Sequence, residues 1–535
     1  MENISKILGF QSGHDVSYCI LENGIPTIHE ELERFTREKH ALGDGLKMFY
    51  ENFKGNKSDF KYFSFGNLGG RSGKWESECK NNFYDELMTN TIERNKGKFF
   101  EFSHHMCHVS NAFFSSNFDS STIITLDGGG IEIEDGVTAC TIYKGQKNKI
   151  EKLKVFPFNE INIGVAWDLI TKAFGLSIGY PYGSQAGTVM AMAGLSDCNI
   201  YEEPIREIIE NGCFSNEKTI KCMKKIFEKD HSLEQNKFDI AHSLQLATES
   251  VVKDIISKAM KLFPSENLCI AGGCALNSVM IGKIKDWFPN IKNIYIPPIP
   301  TDAGLAIGSA QYLWHQIFQN PRIKWVDNFS PYLGRNYKES EIRNCIKKFD
   351  NIVNTKDVSE DDVISLLEKQ NIVSIFGKGS ESGRRALGNR SILADPRSDK
   401  MKNIINKKVK HRQWYRPFAP SIIREEVKNW FTRDEDSPYM SMVLKWKKQK
   451  TSQIPAVNHF DNSARLQTVT ENDNSWYYSF LKKWEKKTNV PILLNTSFND
   501  SEPIVETPEN AINCFLKTEI DYLYFRETNI LVGKN

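Results

Sequence analysis

The sequence predicts an α/β protein of two domains, in which one strand plan occurs twice in the first half. The chain has 535 residues, which is too long for a single hydrophobic core, so at least two domains are expected. The first half repeats a strand, an Asp- or Gly-rich turn and a hairpin, and the second half combines a buried strand with many arginines near glycines. These patterns favour α/β domains with sites for anions.

The repeated plan begins with the strands Ile7–Phe10 and Val16–Leu21, and Asn23-Gly24 then gives a strong hairpin signal. In the second copy, Thr122–Leu126 leads into Asp127–Gly130 and a further strand. Tight glycine turns present backbone N–H groups to phosphate while the aspartate holds a cation. The plan is therefore typical of a duplicated actin/sugar-kinase-like fold, with two ordinary hairpins as the alternative.

Three later elements complete the first half. Leu268–Ala271 is a buried strand that ends in a double glycine, and Ile294–Ile296 is the next strand. The apolar pattern of Ala303–Phe318 predicts a helix that begins just after Asp302. A helix N-terminus at that point favours an anion or a metal-bridged phosphate.

A histidine pair with i, i+4 spacing, His104 and His108, is the most informative motif. On a helix the two side chains lie one turn apart on one face, where they can chelate a single metal. Two imidazoles with two carboxylates suit iron, manganese or zinc. Surface or core histidines remain the alternative, and Cys107 inside the motif is interpreted as a buried packing residue rather than a ligand.

The second domain is predicted to start near Asp350, after an irregular connection over Pro321–Glu341, and to open with the strand Ile372–Phe376. Arginine forks chelate phosphates bidentately, so a cleft lined by the basic residues that follow would suit a polyanion. Charge-paired surface arginines are the alternative. These basic residues are Arg384, Arg385, Arg390, Lys410, Arg412 and Arg416.

Composition excludes several classes of protein. Lys and Arg number 69 against 67 Asp and Glu, which argues against a surface that tracks nucleic acid throughout. The N-terminus has no apolar signal region and no stretch is long enough to span a membrane, so a cytoplasmic protein without membrane partners is expected. The 11 cysteines include no CxxC pair and are interpreted as free thiols.

One motif fails on inspection. Gly69–Trp75 has the look of a phosphate loop, but Leu68 stands where the first glycine is required and Trp75 where a Ser or Thr would bind magnesium. No GxGxxG fingerprint, GxSxG elbow or HExxH motif is present.

Taken together, the motifs resemble the O-carbamoyltransferases of antibiotic and nodulation-factor tailoring, nearly from end to end and in the same order. The matching segments are Gly13–Ser17, Glu33–His40, His104–His108, Asp127–Gly130, Asp239–Gln245, Gly272–Asn277, Thr301–Gly304, Arg385–Ser391, Arg416–Pro420, Ala464–Val469 and Leu494–Asn499.

The resemblance implies two joined enzymes. Residues 1–335 would form an actin-like carbamoyl-transfer domain similar to the universal tRNA threonylcarbamoyl transferase, and residues 350–535 a YrdC-like domain. The latter would convert carbamoyl phosphate and ATP into carbamoyl adenylate, releasing phosphate and pyrophosphate. The former would pass the carbamoyl group to an acceptor hydroxyl and release AMP.

The resemblance also assigns residues. The metal, iron(II) with manganese or zinc as alternatives, would lie on His104, His108, Asp127 and Asp302, and magnesium would accompany ATP. Because the acceptor alcohol needs a proton acceptor near the carbonyl, His14 is our candidate for the catalytic base, with a turn-capping role as its alternative. Lys39 is the candidate for stabilising the developing negative charge, and Asp239 for orienting the acceptor. The residues that would hold the nucleotide or carbamoyl phosphate are Asp127, Gly128, Gly129, Gly272, Gly273, Asn277, Arg385, Lys410, Arg416, Arg465, Asn495 and Ser497.

The chain departs from the family pattern at four positions, which bear on the geometry of substrate binding. Thr188 stands where the family usually has Lys, and Ala191 where it usually has Gly. The segment Lys378–Glu381 lacks the Arg that commonly precedes Ser-Glu in the family, and Arg384 replaces the usual Pro. The acceptor, a sugar, polyketide or similar alcohol, would be chosen by loops in Lys47–Phe102 and Glu202–Lys237. Three alternative functions stay open: carbamoylation of a hydroxymethylated nucleic-acid base, modification of tRNA by a transferase, and nucleotide sensing without catalysis. A homodimer is also possible on the sequence alone.

Overall fold

The computed structural model describes residues 6–66, 98–132, 134–177, 185–212, 217–227 and 233–535, so the rejected phosphate-loop motif lies outside the described residues. The chain divides into two compact units. The first comprises Met1–Glu33, His40–Asn277 and Ile284–Trp325; the second comprises Arg34–Lys39, Ser278–Lys283 and Val326–Asn535.

The strands are numbered in chain order along the described residues. They are β1 Lys6–Gln11, β2 Ser17–Glu22, β3 Ile25–Glu31, β4 Tyr62–Gly66, β5 Lys98–Phe102, β6 Ser120–Glu132, β7 Gly136–Gln146, β8 Lys149–Pro157, β9 Asn267–Ala271, β10 Asn293–Tyr295, β11 Val353–Asp357, β12 Val373–Phe376, β13 Arg390–Ala394, β14 Ala419–Ile423, β15 Met442–Lys445, β16 Ser463–Val469, β17 Ile492–Ser497, β18 Tyr522–Phe525 and β19 Ile530–Lys534.

The α-helices are numbered in the same way. They are α1 Leu32–Thr36, α2 Gly45–Asn52, α3 His104–Ser115, α4 Ile163–Ala173, α5 Ala186–Met192, α6 Glu202–Ile209, α7 Glu217–Phe227, α8 Glu234–Leu262, α9 Ser278–Trp287, α10 Leu305–Tyr312, α11 Glu339–Lys347, α12 Glu360–Glu368, α13 Met401–Lys408, α14 Val427–Trp430, α15 Ser475–Thr488 and α16 Pro508–Lys517. None of the described helices is long and apolar enough to cross a bilayer.

The first unit contains two five-stranded sheets with the same connectivity. Their strand orders are β3-β2-β1-β4-β5 and β10-β9-β6-β7-β8. In each sheet the first three strands along the chain form an antiparallel meander. The fourth strand then pairs in parallel with the first, and the fifth pairs in parallel with the fourth. The predicted Asn23-Gly24 hairpin is confirmed, because both residues have the positive φ of a type I′ turn, 51° and 85°.

The glycine run after the second copy's first strand is not the tight turn that the sequence predicts. Strand β6 continues through Asp127–Gly130 as far as Glu132, and its pairing with β7 shifts register between Leu126 and Gly130. Gly129 has a φ of 153°. The run is therefore a β-bulge inside a long hairpin, which turns the backbone at Asp127 without ending the strand.

Helices α3 and α10 pack against each other, and each covers one sheet of the first unit. Glycines permit the close approach: a Cβ at Gly308 would lie 1.9 Å from the carbonyl oxygen of Cys107, and one at Gly9 would lie 2.0 Å from that of Ala306. The predicted apolar helix after Asp302 is confirmed, since a 3-10 turn over Asp302–Gly304 leads directly into α10.

The second unit is built on a nine-stranded mixed sheet with the order β11-β19-β18-β12-β13-β17-β14-β16-β15. Helices α12 and α15 bury Leu367, Phe480 and Trp484 in its main hydrophobic core. The predicted opening strand Ile372–Phe376 is β12 but not the first, because β11 precedes it. Only Val353 of β11 is buried, and the other residues of this strand are exposed. This edge strand therefore lacks the alternation of apolar and polar residues from which a strand is predicted.

A short N-terminal segment belongs to the second unit. The guanidinium of Arg34 donates to the carbonyl oxygens of Glu381 and Gly383 at 3.2 and 2.5 Å. Arg37 donates to the carbonyl oxygen of Ile504 at 2.8 Å. The second unit is therefore discontinuous along the chain.

Candidate metal centre and anion site

The histidine pair lies on a helix, as the spacing predicts. Helix α3 begins at His104, and both imidazoles of the pair are fully buried. The Nε2 atoms of His104 and His108 lie 3.1 Å apart. Two nitrogens at this distance share one proton or one cation, because two lone pairs cannot face each other without cost.

Two carboxylates complete the cluster. Asp127 Oδ2 lies 2.9 Å from Nε2 of His104 and 3.4 Å from Nε2 of His108. Asp302 Oδ1 lies 3.3 Å from Nε2 of His108 and 3.8 Å from Nε2 of His104. A divalent ion bonded at about 2.0–2.2 Å spaces neighbouring ligands by roughly 3–3.6 Å, so the donor set and its convergence fit a metal.

The charges of the cluster support each other. Burial lowers the pKa of His108, but the carboxylates of Asp127 and Asp302 outweigh it and raise that pKa to about 9. Burial raises the pKa of Asp127, yet the two histidines hold it well below its usual range. Without a metal, the carboxylates therefore favour a proton on His108, and a cation would compete with that proton.

Backbone groups position the Asp127 carboxylate and the His104 ring. The N–H of Gly273 donates to Asp127 Oδ1 at 3.2 Å, which leaves Oδ2 for the histidines. A Cβ at Gly130 would lie 2.1 Å from Cδ2 of His104, so this glycine makes room for the ring. Gly273, which is predicted to bind nucleotide, thus also shapes the candidate metal centre, and Gly130 does so as well.

Asp302 is fixed by the first sheet. The carbonyl of its neighbour, Ala303, accepts from Ser17 Oγ at 2.8 Å and from His29 Nε2 at 2.9 Å. Ser17 lies in β2 and His29 in β3. The candidate metal centre is therefore assembled from both sheets of the first unit and the helix pair between them.

His105 and Cys107, which share the motif, serve packing. The Nδ1 atom of His105 pairs with Thr125 Oγ1 at 2.5 Å and its Nε2 with the carbonyl of Thr138 at 3.1 Å. Burial lowers the pKa of His105 well below its usual value. Cys107 is fully buried outside the metal cluster, and burial raises the pKa of its thiol well above the usual value.

His14, the predicted catalytic base, lies on the candidate metal centre. Its Nε2 atom is 3.2 Å from Asp302 Oδ2. Burial lowers the pKa of His14, but the carboxylates of Asp302 and Asp15 outweigh that effect and raise it. Asp15 also binds His40 Nδ1 at 2.9 Å. Neither His40 nor Asp15 was predicted as a site residue from the sequence, although both lie in the segments that carry the family resemblance.

Both Asp15 and His40 have a positive φ, 50° and 56°, which is costly for residues with a side chain. Two such residues joined by a hydrogen bond indicate that the local fold holds this pair in place.

The predicted nucleotide cradle is partly open and partly occupied by internal bonds. A Cβ at Gly128 would meet nothing within 4 Å, whereas Gly272 has a φ of 91° and a Cβ there would lie 2.4 Å from the carbonyl of Leu126. The amide of Asn277 donates to Gln245 Oε1 at 2.9 Å and accepts from its Nε2 at 3.3 Å. Among the four glycines of the predicted cradle, Gly128 is therefore the one at which an added Cβ has open space.

Asp239 lies apart from the predicted set. Its Oδ1 accepts from Ser196 Oγ at 2.7 Å and from Gln235 Nε2 at 2.8 Å, and no hydrogen bond within the described ranges joins it to another predicted site residue. Lys39 belongs to the second unit, whereas His14 belongs to the first. Thr188, the departure from the family pattern, is buried and donates to Gln185 Oε1 at 3.3 Å.

The second unit contains an arginine cluster, formed by Arg385, Arg412, Arg416 and Arg465. Burial lowers the pKa of each, and the neighbouring guanidiniums lower it further for Arg385, Arg412 and Arg465, the last to about 10. Within the described part of the chain, the side chains of Arg385 and Arg465 form no hydrogen bond or ion pair. Buried positive charge without compensation favours a polyanionic ligand.

Other predicted ligands of the second unit are engaged internally. Lys410 donates through Nζ to the carbonyls of Ser497 and Asn499 at 2.8 and 2.7 Å, and to Asn499 Oδ1 at 2.6 Å. Asn495 Nδ2 donates to three acceptors, among them the carbonyl of Ala386 at 3.0 Å. Arg390 is buried and donates to backbone carbonyls, so it is a structural residue.

Glu381, which was not predicted from the sequence, holds the loop between Arg385 and Arg390 in place. Its Oε1 accepts the backbone N–H groups of Leu387 and Asn389 at 2.7 Å each, and that of Arg390 at 3.1 Å. Glu381 follows the Gly-rich turn after β12, and its place in that turn is the sequence feature that could have pointed to it.

Two protein-family profiles match the chain. The one described as Carbamoyltransferase N-terminus matches residues 68–311, and the one described as Carbamoyltransferase C-terminus matches residues 364–532. Together they span both units in the order that the sequence motifs predict.

Two curated relatives illustrate the similarity. Uncharacterized protein sll1178 of Synechocystis sp. is 31% identical over 97% of this chain and 95% of that protein. Nodulation protein NolO of Bradyrhizobium diazoefficiens is 31% identical over 79% of this chain and 77% of that protein. The crystal structure of full-length HypF in the phosphate- and nucleotide-bound form has a TM-score of 0.33 and 13% identity, covering 59% of this chain and 56% of that one. A TM-score this low leaves the fold to be argued from the strand order.

Proposed function

Because the chain belongs to the carbamoyltransferase family, we propose that it transfers a carbamoyl group to a hydroxyl of a small-molecule acceptor. The proposed donor is carbamoyl adenylate, which the second unit makes from carbamoyl phosphate and ATP. The observation that carries this proposal is the arginine cluster, in which the buried side chains of Arg385 and Arg465 form no hydrogen bond or ion pair with any residue that the structure describes.

The proposed fold assignment accompanies the function. The two sheets of the first unit, with identical strand order, would be the halves of an actin/sugar-kinase-like domain. The nine-stranded unit would be the YrdC-like domain.

Adenylate formation brings two anions together. Water would cleave carbamoyl phosphate to carbamate and phosphate, and a carbamate oxygen would then displace pyrophosphate from the α-phosphorus of ATP. Carbamate and the triphosphate repel each other, so the reaction needs positive charge in place before they meet. Arg385, Arg416 and Arg465 would supply that charge, while Lys410 and Asn495 would shape the surrounding loops through the bonds described above.

Transfer is proposed for the first unit. His104, His108, Asp127 and Asp302 would hold a divalent metal, with iron, manganese and zinc as candidates. When bound, such an ion neutralises the phosphate of the adenylate and polarises its mixed anhydride. Gly128 and Gly273 would bring backbone groups close to the nucleotide.

His14 would remove the proton of the acceptor hydroxyl. The hydroxyl oxygen would attack the carbamoyl carbon, and AMP would leave with the electron pair of the broken C–O bond. The position of His14 supports this role, because its Nε2 atom lies 3.2 Å from Oδ2 of Asp302, a proposed metal ligand. Lys39 and Asp239 remain proposals for charge stabilisation and acceptor orientation.

The test is to incubate the purified protein with carbamoyl phosphate, ATP and a divalent metal, and to look for carbamoyl adenylate by mass spectrometry. Pyrophosphate release measured in parallel reports the first step. A positive result would justify screening sugars, polyketides and hydroxymethylated DNA as acceptors. If neither adenylate nor pyrophosphate forms, the proposed function is wrong.

A further inference from the structure

Trp414 and Phe460 form an exposed aromatic pair on the second unit. Their ring centroids lie 5.6 Å apart with the planes at 84°. Their side chains are 51% and 52% exposed, and no other tryptophan or phenylalanine among the described residues is exposed to this degree. Two large aromatic side chains kept together in water favour a ligand-binding surface.

Asn406 connects this aromatic pair to the arginine cluster. Its Nδ2 donates to the carbonyl of Trp414 at 3.3 Å and to that of Arg416 at 2.9 Å. Its Oδ1 accepts from Nε of Arg412 at 2.8 Å. One buried amide therefore holds the segment of Trp414 and two arginines of the cluster in a fixed relation.

Positive charge extends up to the aromatic pair. The Nζ atom of Lys402 lies 4.1 Å from the centroid of the Phe460 ring. Burial, and then the charge of Arg412, lowers the pKa of Lys402, which places the two cations in each other's field. A ligand on this surface would therefore meet both a cation and an exposed aromatic ring.

A nucleotide matches both features, because its phosphates bind cations and its base stacks on aromatic side chains. Carbamoyl phosphate has no aromatic part and would leave the pair uncovered. We propose that the exposed face of Trp414 stacks on the adenine base of ATP, with Phe460 supporting the indole edge-on and the arginine cluster holding the phosphates. This inference rests on the proposed function and assigns the base-binding surface of the adenylate-forming site.

The kinetic test compares Trp414→Ala and Trp414→Phe with Ile352→Ala, a control at a side chain of the same unit that is 53% exposed. Loss of one base–aromatic stack corresponds to about a 5- to 150-fold loss of affinity. We expect the KM for ATP in pyrophosphate release to rise by that factor in Trp414→Ala, with the KM for carbamoyl phosphate unchanged. Trp414→Phe should retain most of the affinity, and Ile352→Ala should match the wild type.

A binding measurement decides the inference even if no turnover is seen. Calorimetric titration with ATP and with inorganic triphosphate, which has no base, should show that Trp414→Ala weakens ATP binding but leaves triphosphate binding unchanged. Equal ATP affinity in wild type and Trp414→Ala overturns the stacking role. Absence of carbamoyl adenylate in the wild type, with ATP binding still dependent on Trp414, overturns the proposed function instead.

Discussion

The backbone N–H of Gly273 donates to Oδ1 of Asp127 at 3.2 Å, and the other oxygen of that carboxylate faces the histidine pair. The 3-10 turn that follows strand β9 thus orients a candidate ligand carried by the bulge in β6. A carboxylate fixed on one oxygen presents the other in a single direction, which pre-organises the candidate metal centre.

Substitutions at the neighbouring residues His104 and His105 should affect metal binding and stability separately. His104→Ala removes a donor of the cluster, so it should abolish tight binding of one divalent ion per chain and carbamoyl transfer, while adenylate formation persists. His105→Asn should retain the ion but lower the free energy of unfolding by about 2–4 kcal/mol, because buried hydrogen bonds and packing are lost. Elemental analysis and chemical denaturation measure the two effects. Loss of adenylate formation in His104→Ala would contradict the separation of the two sites.

Two glycine substitutions should differ in kind. Gly272→Ala places a Cβ 2.4 Å from a backbone carbonyl at a φ of 91°, so it should destabilise the protein by at least about 2 kcal/mol. Gly128→Ala meets nothing within 4 Å and should unfold like the wild type, yet transfer from carbamoyl adenylate should slow at least tenfold if the nucleotide lies there. Thermal unfolding and single-turnover transfer separate them. Unchanged transfer in Gly128→Ala would remove this glycine from the cradle.

Removing one cation from the arginine cluster should not weaken the ligand-free protein. Arg465→Ala relieves repulsion from Arg416 and Arg412, so its Tm without ligand should equal or exceed that of the wild type. The rise in Tm that pyrophosphate gives the wild type should shrink, and adenylate formation should fall at least 100-fold. Arg424→Ala, which removes a surface pair with Asp434, is the control and should keep both properties. A lower Tm of ligand-free Arg465→Ala would indicate a structural role instead.

Asp473 should make the protein less stable at neutral pH. Burial, and then the nearby Asp436, raises its pKa to about 6, although hydrogen bonds from Thr470 and Asn328 oppose the shift. A raised carboxyl pKa contributes stability below about pH 4 that is lost as the pH rises through 6. Asp473→Asn should therefore unfold with about 1 kcal/mol more free energy than the wild type at pH 7.5, and with no difference near pH 4.

Asp461 provides a control of opposite sign for this pH dependence. Burial raises its pKa, but Lys445 and Ser463 outweigh that effect and lower it. Asp461→Asn should therefore reduce stability at pH 7.5 and lose its effect as the pH falls below 4. Denaturant titrations at both pH values give the comparison. The same sign for both variants would show that charge is not the cause.

Local patterns in the sequence were enough to predict the hairpins, the strand before Gly272 and the i, i+4 pair on α3. Each depends on residues a few positions apart, whose periodicity or turn chemistry is visible in one segment. The edge strand β11 was missed because only Val353 is buried, and the Asp127–Gly130 bulge was read as a turn because both use glycine.

The candidate site was predictable in part. The family resemblance named the four residues that meet at the candidate metal centre, but nothing local reveals that Gly273 orients Asp127 or that His40 binds Asp15. Lys410 was predicted as a ligand from its charge, and its bonds to Asn499 are visible only once distant loops fold together. Contacts between residues far apart in the chain carry no periodic signal.

The buried side chain of Arg34 has a consequence for folding during synthesis. Its guanidinium binds the carbonyl of Glu381, which follows it by 347 residues, so a growing chain exposes the arginine long before the acceptor emerges from the ribosome. An isolated piece starting at residue 326 would leave the carbonyls of Glu381 and Gly383 without this donor. Supplying residues 34–39 in trans as a peptide is the natural way to restore them.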